Sequence, residues 1–290
     1  MSVKKDKKPR ANNWRFIRTM WLFFMTGVCL LILMFVSASI GLLGEMPDYT
    51  RLENPQTNLA TEIISSDGKT IGKFYFEDNR TLMGFDELPN HLVDALIATE
   101  DVRFRNHSGI DVRGTLRATM YLGSRGGAST ITQQLAKQFF TGLVAKNKFE
   151  RALQKIKEWV IAIRIERQYT KEEIIAMYFN IYDFGNNADG IRSASRIYFG
   201  KEPKDLKIEE SAMLVGMFKN SSLYNPLPNR NPEGTKKRRD VVLSQTAKYG
   251  FIDDDIKDSL IALPIALKYS PESHQQGPAA YFREYLRAYL

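Results

Sequence analysis

The chain has almost no cysteine and little histidine, with one Cys and three His in 290 residues. A single cysteine, Cys29, excludes a disulfide-stapled scaffold and any cysteine-based zinc site. The histidines are far apart in sequence and no H-E-x-x-H occurs, so no histidine metal cluster is predicted. Only 11 Pro and 19 Gly accompany 43% hydrophobic residues. This composition excludes a collagen-like or disordered chain and predicts one large or two small folded domains.

Charged residues are absent from the stretch 21–43, which follows a strongly basic tail at 1–20. As a helix this stretch extends about 34 Å, enough for a bilayer core of about 30 Å. Because cations precede the span and acids follow it, the N-terminus is predicted to stay in the cytoplasm, with the rest of the chain outside. The alternative is a cleaved signal peptide ending near Ala38. The apolar run is longer than an ordinary signal-peptide core, which favours an uncleaved anchor.

Beyond the span, the pattern predicts a small β element followed by helices. Two β-rich runs, 61–65 and 70–76, flank the turn residues 66–69 and predict a hairpin. Pro89 can open a helix that runs to Asp101, and apolar residues repeat at helical spacing from Phe149 to Ile163. Further helix ends are marked by a capping box at 170–173 and by closing glycines at Gly200 and Gly250.

Two polar segments interrupt this apolar pattern. Glu100 follows the apolar face of a helix, where a carboxylate beside a hydrophobic wall is a candidate general base. The alternative is a solvated pair of Glu100 and Asp101 at the helix end. The second segment, 126–135, places glycines, hydroxyls and two glutamines at a helix N-terminus, which suits an anion or sugar hydroxyls. Ser129 or Thr130 can alternatively serve only as the helix cap.

Together, E-D-x-x-F-x-x-H-x-G from Glu100 and G-G-x-S-T-I-T-Q-Q-L from Gly126 resemble the glycosyltransferase domain of class A penicillin-binding proteins, the peptidoglycan glycosyltransferases of family 51. Three further motifs of that family follow in order, over about residues 55–260: Lys155 to Glu158 as K-x-x-E; Tyr178-Phe179-Asn180 with Gly185, Gly190 and Tyr198 to Lys201; and Glu210, Ala212, Leu214 and Gly216 with Tyr224-Asn225-Pro226. The resemblance implies a mainly α, lysozyme-like helical domain with a small N-terminal β element, preceded by one transmembrane helix.

The resemblance also implies a reaction: lipid II is polymerised into β-1,4-linked glycan strands with inversion, and undecaprenyl diphosphate is released. In that reaction Glu100 is the base on the acceptor 4-hydroxyl. Glu158 lies near the donor diphosphate, with a divalent cation (Mg²⁺ or Mn²⁺), and Lys137 and Lys155 face the phosphates. No organic cofactor is implied. Without the resemblance, Lys155 and Glu158 are an ion pair on a solvated helix face.

Sugar-binding residues follow from motif position alone: Ser129, Thr130, Gln133, Gln134 and Asn180. Phe104 and Tyr198 are equally interpretable as core residues. The sequence departs from the family at Gln154, where Arg is usual, and Arg151, one helical turn earlier, is the candidate replacement. Residues 103–168 hold 13 Lys and Arg against four acids, which favours a doubly anionic lipid head near a membrane.

The predicted organisation has five parts: a basic cytoplasmic tail at 1–20, an anchor at 21–43, a linker and hairpin at 44–87, a glycosyltransferase domain at 88–263, and at 264–290 the start of a linker to a missing transpeptidase domain. We expect a longer natural chain rather than a monofunctional form. No K-T-G triplet accompanies the S-x-x-K pattern at 66–69, so that pattern does not indicate a transpeptidase site.

The predicted location is a bacterial inner membrane, crossed once, with the catalytic domain on the periplasmic side. Apolar clusters around 120–122 and 139–144 are expected to dip into that membrane. The expected partners are lipid II, the growing glycan strand, the membrane and other cell-wall synthesis proteins, with no nucleic acid. Two other functions stay open: a lysozyme-like glycan-cleaving hydrolase with Glu100 as acid, and an inactive membrane scaffold of cell-wall synthesis.

Overall fold

The computed structural model describes residues 13–42, 61–67, 70–74, 80–121, 127–140, 147–271, 281–282 and 285. Over these residues the protein is mainly helical, as predicted. Helix α1 spans Asn13–Ser39, and strands β1 (Thr61–Ile64) and β2 (Thr70–Phe74) form an antiparallel pair. The domain helices follow: α2 Asn90–Glu100, α3 Val112–Met120, α4 Ile131–Phe140, α5 Lys148–Gln168, α6 Lys171–Ile181, α7 Gly190–Phe199, α8 Ile208–Met217, α9 Pro232–Lys248 and α10 Asp254–Ala262.

The local signals in the sequence match the observed elements closely. Thr61 pairs with Phe74 in the hairpin, while predicted turn positions 68–69 and predicted strand positions 75–76 lie outside the described residues. The capping box at the start of α6 is confirmed, because the Glu173 N–H donates to Thr170 Oγ1 and the Thr170 N–H donates to Glu173. Gly200 ends α7 in the left-handed conformation, with φ of 64°.

The core lies where α2, α8 and α9 pack together, with α4 held between α5 and α6. Aromatic rings fill its centre: Phe218 stacks on Tyr178 at 4.7 Å between centroids and also contacts Phe184. Phe104 and Tyr198 are both 0% exposed. They are therefore core residues, which was one of the two interpretations that the sequence left open for them.

Helix α1 is long and apolar enough to cross a membrane, and its candidate span covers Trp14–Ser39. It begins ahead of the uncharged run and ends before Leu43. Its C-terminal end packs on α5: Phe35 stacks on Trp159 at 6.0 Å, and Ala38 is fully buried with Ile156 and Val160. This contact ties the apolar helix to the body of the protein.

Residues 264–271, predicted to begin a linker, pack against the helical body. The Lys268 N–H donates to the Tyr198 carbonyl at 2.9 Å, and the Ser270 N–H donates to the Ile197 carbonyl at 2.8 Å. Arg239, 1% exposed, donates to the carbonyl of Leu263 at 2.8 Å. These hydrogen bonds to backbone carbonyls hold this part of the chain against the domain.

Gly109 supports the loop between α2 and α3, and its replacement tests how tightly that loop is packed. Its φ is 87°, and a Cβ there would lie 2.9 Å from the Ala162 backbone. Gly109→Ala combines left-handed strain with overpacking, so we expect a loss of about 2–4 kcal/mol in the free energy of unfolding. Urea unfolding followed by circular dichroism measures it.

Gly250→Ala is the matched control, because φ is 78° there and nothing lies within 4 Å of the added Cβ. It should lose only about 1–2 kcal/mol, the strain alone. Equal losses in the two variants would contradict close packing at Gly109.

Candidate active site

A cavity of about 500 Å³ opens between the end of α2, the loop before α4 and one face of α9. Charged and polar side chains line much of it, among them Glu100, Arg103, Asp111, Ser129, Gln134 and Arg238. The cavity thus brings together residues from segments that are distant in sequence. It holds the predicted base and part of the predicted sugar-binding segment.

Glu100 is fixed in this cavity by two polar partners. Gln134 Nε2 donates to Glu100 Oε2 at 2.9 Å, and the Arg238 guanidinium lies 3.6 Å from Oε1. Gln134 is itself oriented by the Tyr178 hydroxyl, which donates to its Oε1 at 2.8 Å. Burial raises the pKa of Tyr178 well above its ordinary value, so this hydroxyl keeps its proton and acts as donor. Glu100 is therefore a positioned carboxylate rather than a solvated helix-end charge.

The neighbouring acid, Asp101, has a structural role. It is 7% exposed and accepts a bond from His107 Nε2 at 3.0 Å and one from the Ile131 N–H at 3.2 Å. The second bond satisfies a free N–H in the first turn of α4. Asp101 thereby joins the end of α2 to the start of α4 and holds the two walls of the cavity together.

Two of the predicted sugar ligands are engaged within the protein. Thr130 Oγ1 and Gln133 Nε2 donate to the Gly109 carbonyl at 2.8 and 3.1 Å, and each residue is 1% exposed. Thr130 also accepts from the Gln133 N–H, as a helix cap does. These contacts give both residues a structural role. Thr130 nevertheless lines the cavity, together with Ser129 and Gln134.

Lys155 and Glu158 form an ion pair in which the carboxylate is buried and the lysine side chain is 37% exposed. Lys155 Nζ lies 3.0 Å from Glu158 Oε2 and donates to Ser129 Oγ at 2.9 Å. Glu158 is only 6% exposed. A carboxylate this buried needs its paired cation, because an unpaired buried charge is costly. Through Ser129 the pair reaches the cavity wall, and its role toward a diphosphate stays a prediction.

The structure does not bring the remaining predicted residues into the cavity wall. Lys137 and Arg151 are exposed. Asn180 is buried, and its amide accepts from the Met83 N–H at 3.1 Å and donates to the Met83 carbonyl at 2.9 Å. This amide fastens the segment before α2 to α6. Asn180 therefore has a structural role in the described part of the chain.

The sequence prediction missed the contribution of α9. Arg238, Val241, Gln245 and Lys248 all line the cavity. Their spacing of three, four and three residues is helical and marks one face of α9. That periodicity predicts that the four residues share one face of the helix. It does not predict that this face lies against Glu100.

An ion pair between Arg103 and Asp111 borders the same cavity. Burial pushes the pKa of Asp111 upward, but bonds from Arg103 and the Gly114 N–H outweigh it and hold that pKa below its ordinary value. Asp111 therefore stays ionised at neutral pH. It neutralises Arg103, while Arg117 and Lys248 keep the lining cationic in part.

Residues 67–247 match the family model described as Transglycosylase. The chain is 38% identical over 281 residues to penicillin-binding protein 1A of Pseudomonas aeruginosa, covering 94% of this chain and 33% of that protein. It is 37% identical over 249 residues to penicillin-binding protein 1A of Escherichia coli, covering 84% and 28% respectively. A crystal structure of penicillin-binding protein 1A from Haemophilus influenzae matches 81% of this chain and 24% of that one, with a TM-score of 0.41 at 20% identity.

The chain belongs to the transglycosylase family. The predicted resemblance to the glycosyltransferase domain of class A penicillin-binding proteins is confirmed by the family model and these relatives. The chain spans about a third of the length of the curated relatives it matches.

The bond from Tyr178 to Gln134 provides a test of how Glu100 is held. Tyr178→Phe removes the donor that fixes the Gln134 amide, so we expect a roughly three- to tenfold loss of transglycosylase rate with KM little changed. Tyr198→Phe is the matched control, because its hydroxyl donates to the Phe184 carbonyl at 2.8 Å and both tyrosines are fully buried. Equal rate losses in the two variants at matched stability would contradict a specific role for Tyr178.

Proposed function

We propose that this domain is a peptidoglycan glycosyltransferase that polymerises lipid II into β-1,4-linked strands, with inversion and release of undecaprenyl diphosphate. One observation carries the proposal: Glu100 lies in a large cavity, held by Gln134 and Arg238, beside a wall that Lys155 and Glu158 reach through Ser129. An inverting transfer needs a base on the acceptor and charge stabilisation at the leaving group. The positions of Glu100 and Lys155 support these two roles.

Glu100 acts as the base. It accepts the proton of the acceptor 4-hydroxyl as that oxygen attacks the donor sugar. Gln134 and Arg238 keep the carboxylate in one orientation, which matters because a base must lie within hydrogen-bond reach of the proton it removes. Gln134 and Ser129 supply polar groups for sugar hydroxyls at the same wall.

The leaving diphosphate is placed near Lys155 and Glu158. Lys155 contributes the positive charge, and Arg151 lies one helical turn away on the same face of α5. Mg²⁺ typically uses one or two carboxylates together with substrate phosphates. Glu158, whose Oε2 is paired with Lys155 at 3.0 Å, is the residue that would hold a divalent cation brought by the diphosphate. Such a cation supplies charge stabilisation for the departing diphosphate.

The membrane helix completes the proposal. Helix α1 anchors the chain once in a bacterial inner membrane. Because the basic tail stays on the cytoplasmic side, the domain lies on the periplasmic side. Exposed apolar side chains at Leu116, Met120 and Tyr121 support a surface that dips into the bilayer. Predicted cluster residues 122 and 141–144 lie outside the described part of the chain.

In the whole protein, we propose that a transpeptidase region follows this domain and that other cell-wall synthesis proteins are partners. The proposal rests on the length and names of the relatives, each a penicillin-binding protein 1A about three times as long as this chain.

Glu100→Gln tests the base. It keeps a polar side chain of the same size, so we expect folding and substrate binding to be retained while polymerisation falls about 10²- to 10⁴-fold. The exposed acid Glu172, paired with Arg105, is the control, and Glu172→Gln should keep full activity. More than a tenth of the activity remaining in Glu100→Gln would reject Glu100 as the base.

The product distinguishes the alternatives. The detergent-solubilised protein is incubated with lipid II and the products are separated by gel electrophoresis. Polymer supports the proposal, released saccharide would instead support a hydrolase, and no reaction in a folded sample would support a scaffold.

Arg151→Ala tests whether Arg151 replaces the usual family Arg at Gln154. A cation that faces a phosphate away from water contributes on the order of 2–4 kcal/mol, whereas a solvated Arg contributes under about 1. Arg151 is exposed, so the larger loss requires that the bound diphosphate shields it from water. If Arg151 contacts the diphosphate in this way, we expect that larger loss, seen as a raised donor KM, and we expect Gln154→Arg to restore activity to that variant. If Arg151→Ala leaves the kinetics unchanged and Gln154→Arg has no effect, Lys137 and Lys155 are the residues that contact the phosphates.

A further inference from the structure

A buried ion pair between Glu166 and Lys171 takes no part in the chemistry proposed above. Lys171 Nζ lies 2.7 Å from Glu166 Oε2, and the Glu166 side chain is only 4% exposed. Neither residue lines the cavity around Glu100. A buried carboxylate must be paired and hydrogen-bonded, because its removal from water is costly. The further contacts of this pair show which parts of the chain it holds.

The pair lies at the turn between α5 and α6. Glu166 belongs to the last turn of α5, and Lys171 is the first residue of α6, directly after the capping residue Thr170. Lys171 Nζ also lies over the ring of Phe104, 4.1 Å from its centroid, and that ring is fully buried. Two helix ends and a core ring therefore fix the position of this ion pair.

One branch of contacts leads from Lys171 to the residue next to the base. Lys171 Nζ donates to the His107 carbonyl at 2.7 Å, and His107 Nε2 lies 3.0 Å from Asp101 Oδ2. His107 Nδ1 is buried and has no hydrogen-bond partner among the described residues. The ring therefore depends on Asp101 and on the backbone that Lys171 holds. Asp101 directly follows Glu100.

A second branch leads from Glu166 to the residue that holds the base. Thr132, fully buried in α4, donates its hydroxyl to Glu166 Oε1 at 2.6 Å. Gln134 lies two residues further along the same helix, and its amide donates to Glu100 Oε2 at 2.9 Å. Both partners of the bond between Glu100 and Gln134 are thus connected to the same ion pair.

We propose that Glu166 and Lys171 are positioning residues that together set the distance between Glu100 and Gln134. They keep the carboxylate in the orientation in which it takes the acceptor proton, so this inference rests on the proposed role of Glu100. A base that must meet one particular proton tolerates little displacement. The pair therefore acts on the rate of the chemical step, and substrate binding does not depend on it.

The test variant removes both charges at once, because one charge left alone in the interior would destabilise the fold. In Glu166→Gln/Lys171→Met the new amide still accepts from Thr132, whereas the thioether cannot donate to the His107 carbonyl. We expect a folded protein whose kcat for polymerisation of lipid II is about 10- to 100-fold lower, with KM little changed. Urea unfolding curves establish that rates are compared where every variant is folded.

Arg196→Met/Glu202→Gln is the matched control. It removes an ion pair whose cation is exposed to a similar extent, 20% against 21% for Lys171, and neither residue lines the cavity. It should keep the kcat and KM of the wild type.

Two single variants separate the branches. Lys171→Arg keeps a cation that can donate to both Glu166 and the His107 carbonyl, so it should retain most of the activity. Thr132→Val keeps the ion pair and removes only the bond to α4, and should lower kcat about three- to tenfold.

A double-mutant cycle with Tyr178→Phe distinguishes positioning from general loss of stability. Tyr178 acts on Gln134, so if the ion pair acts on the same bond, the combined variant should lose less rate than the product of the two separate losses. Losses that multiply would overturn the proposal. So would an unchanged kcat in Glu166→Gln/Lys171→Met, or a raised KM at unchanged kcat.

The wild-type reaction separates this inference from the function on which it rests. A folded wild-type protein that makes no polymer from lipid II would reject the proposed function and the positioning role together. An active wild type with a fully active Glu166→Gln/Lys171→Met variant would reject only the positioning role.

Discussion

The buried carboxylate of Asp101 is the contact on which the rest of the site depends. It accepts from His107 and from the Ile131 N–H, and so fixes the end of α2 against the start of α4. The Gly109 carbonyl strengthens the same junction by accepting from Thr130 and Gln133. Buried polar groups must be satisfied, so this junction has few alternative arrangements. Glu100, next in sequence to Asp101, is thereby held facing Gln134.

The motif residues divide into those that build the site and those that form its surface. Gln133 and Asn180 use their side chains to join segments of the chain, whereas Glu100 and Gln134 face the cavity. Thr130 does both. Both groups are polar, so polarity alone does not separate them. The difference lies in burial: a side chain that bonds a backbone carbonyl in the interior stabilises the fold, whatever further contact it makes with a sugar.

Helix α5 links the apolar helix α1 to the cavity around Glu100. Its face with Ile156 and Val160 packs on α1, while Lys155 and Glu158 reach the cavity wall through Ser129. These contacts lie within two turns of one helix, and a helix bends little over that length. A shift of α1 relative to the domain is therefore transmitted through α5 to Lys155 and Glu158.

The sequence alone determined the long apolar helix, the hairpin, the capping box at Thr170 and the family motifs, because each depends on residues within a short stretch of the chain. It also identified Glu100. Tertiary structure alone decided that Arg238 and Tyr178 position Glu100 and its partner, that Asp101 is structural, and that Asn180 fastens a distant segment. Those outcomes depend on how α2, α4, α6 and α9 pack. Helical periodicity gives the face of each helix, but not which other face it meets.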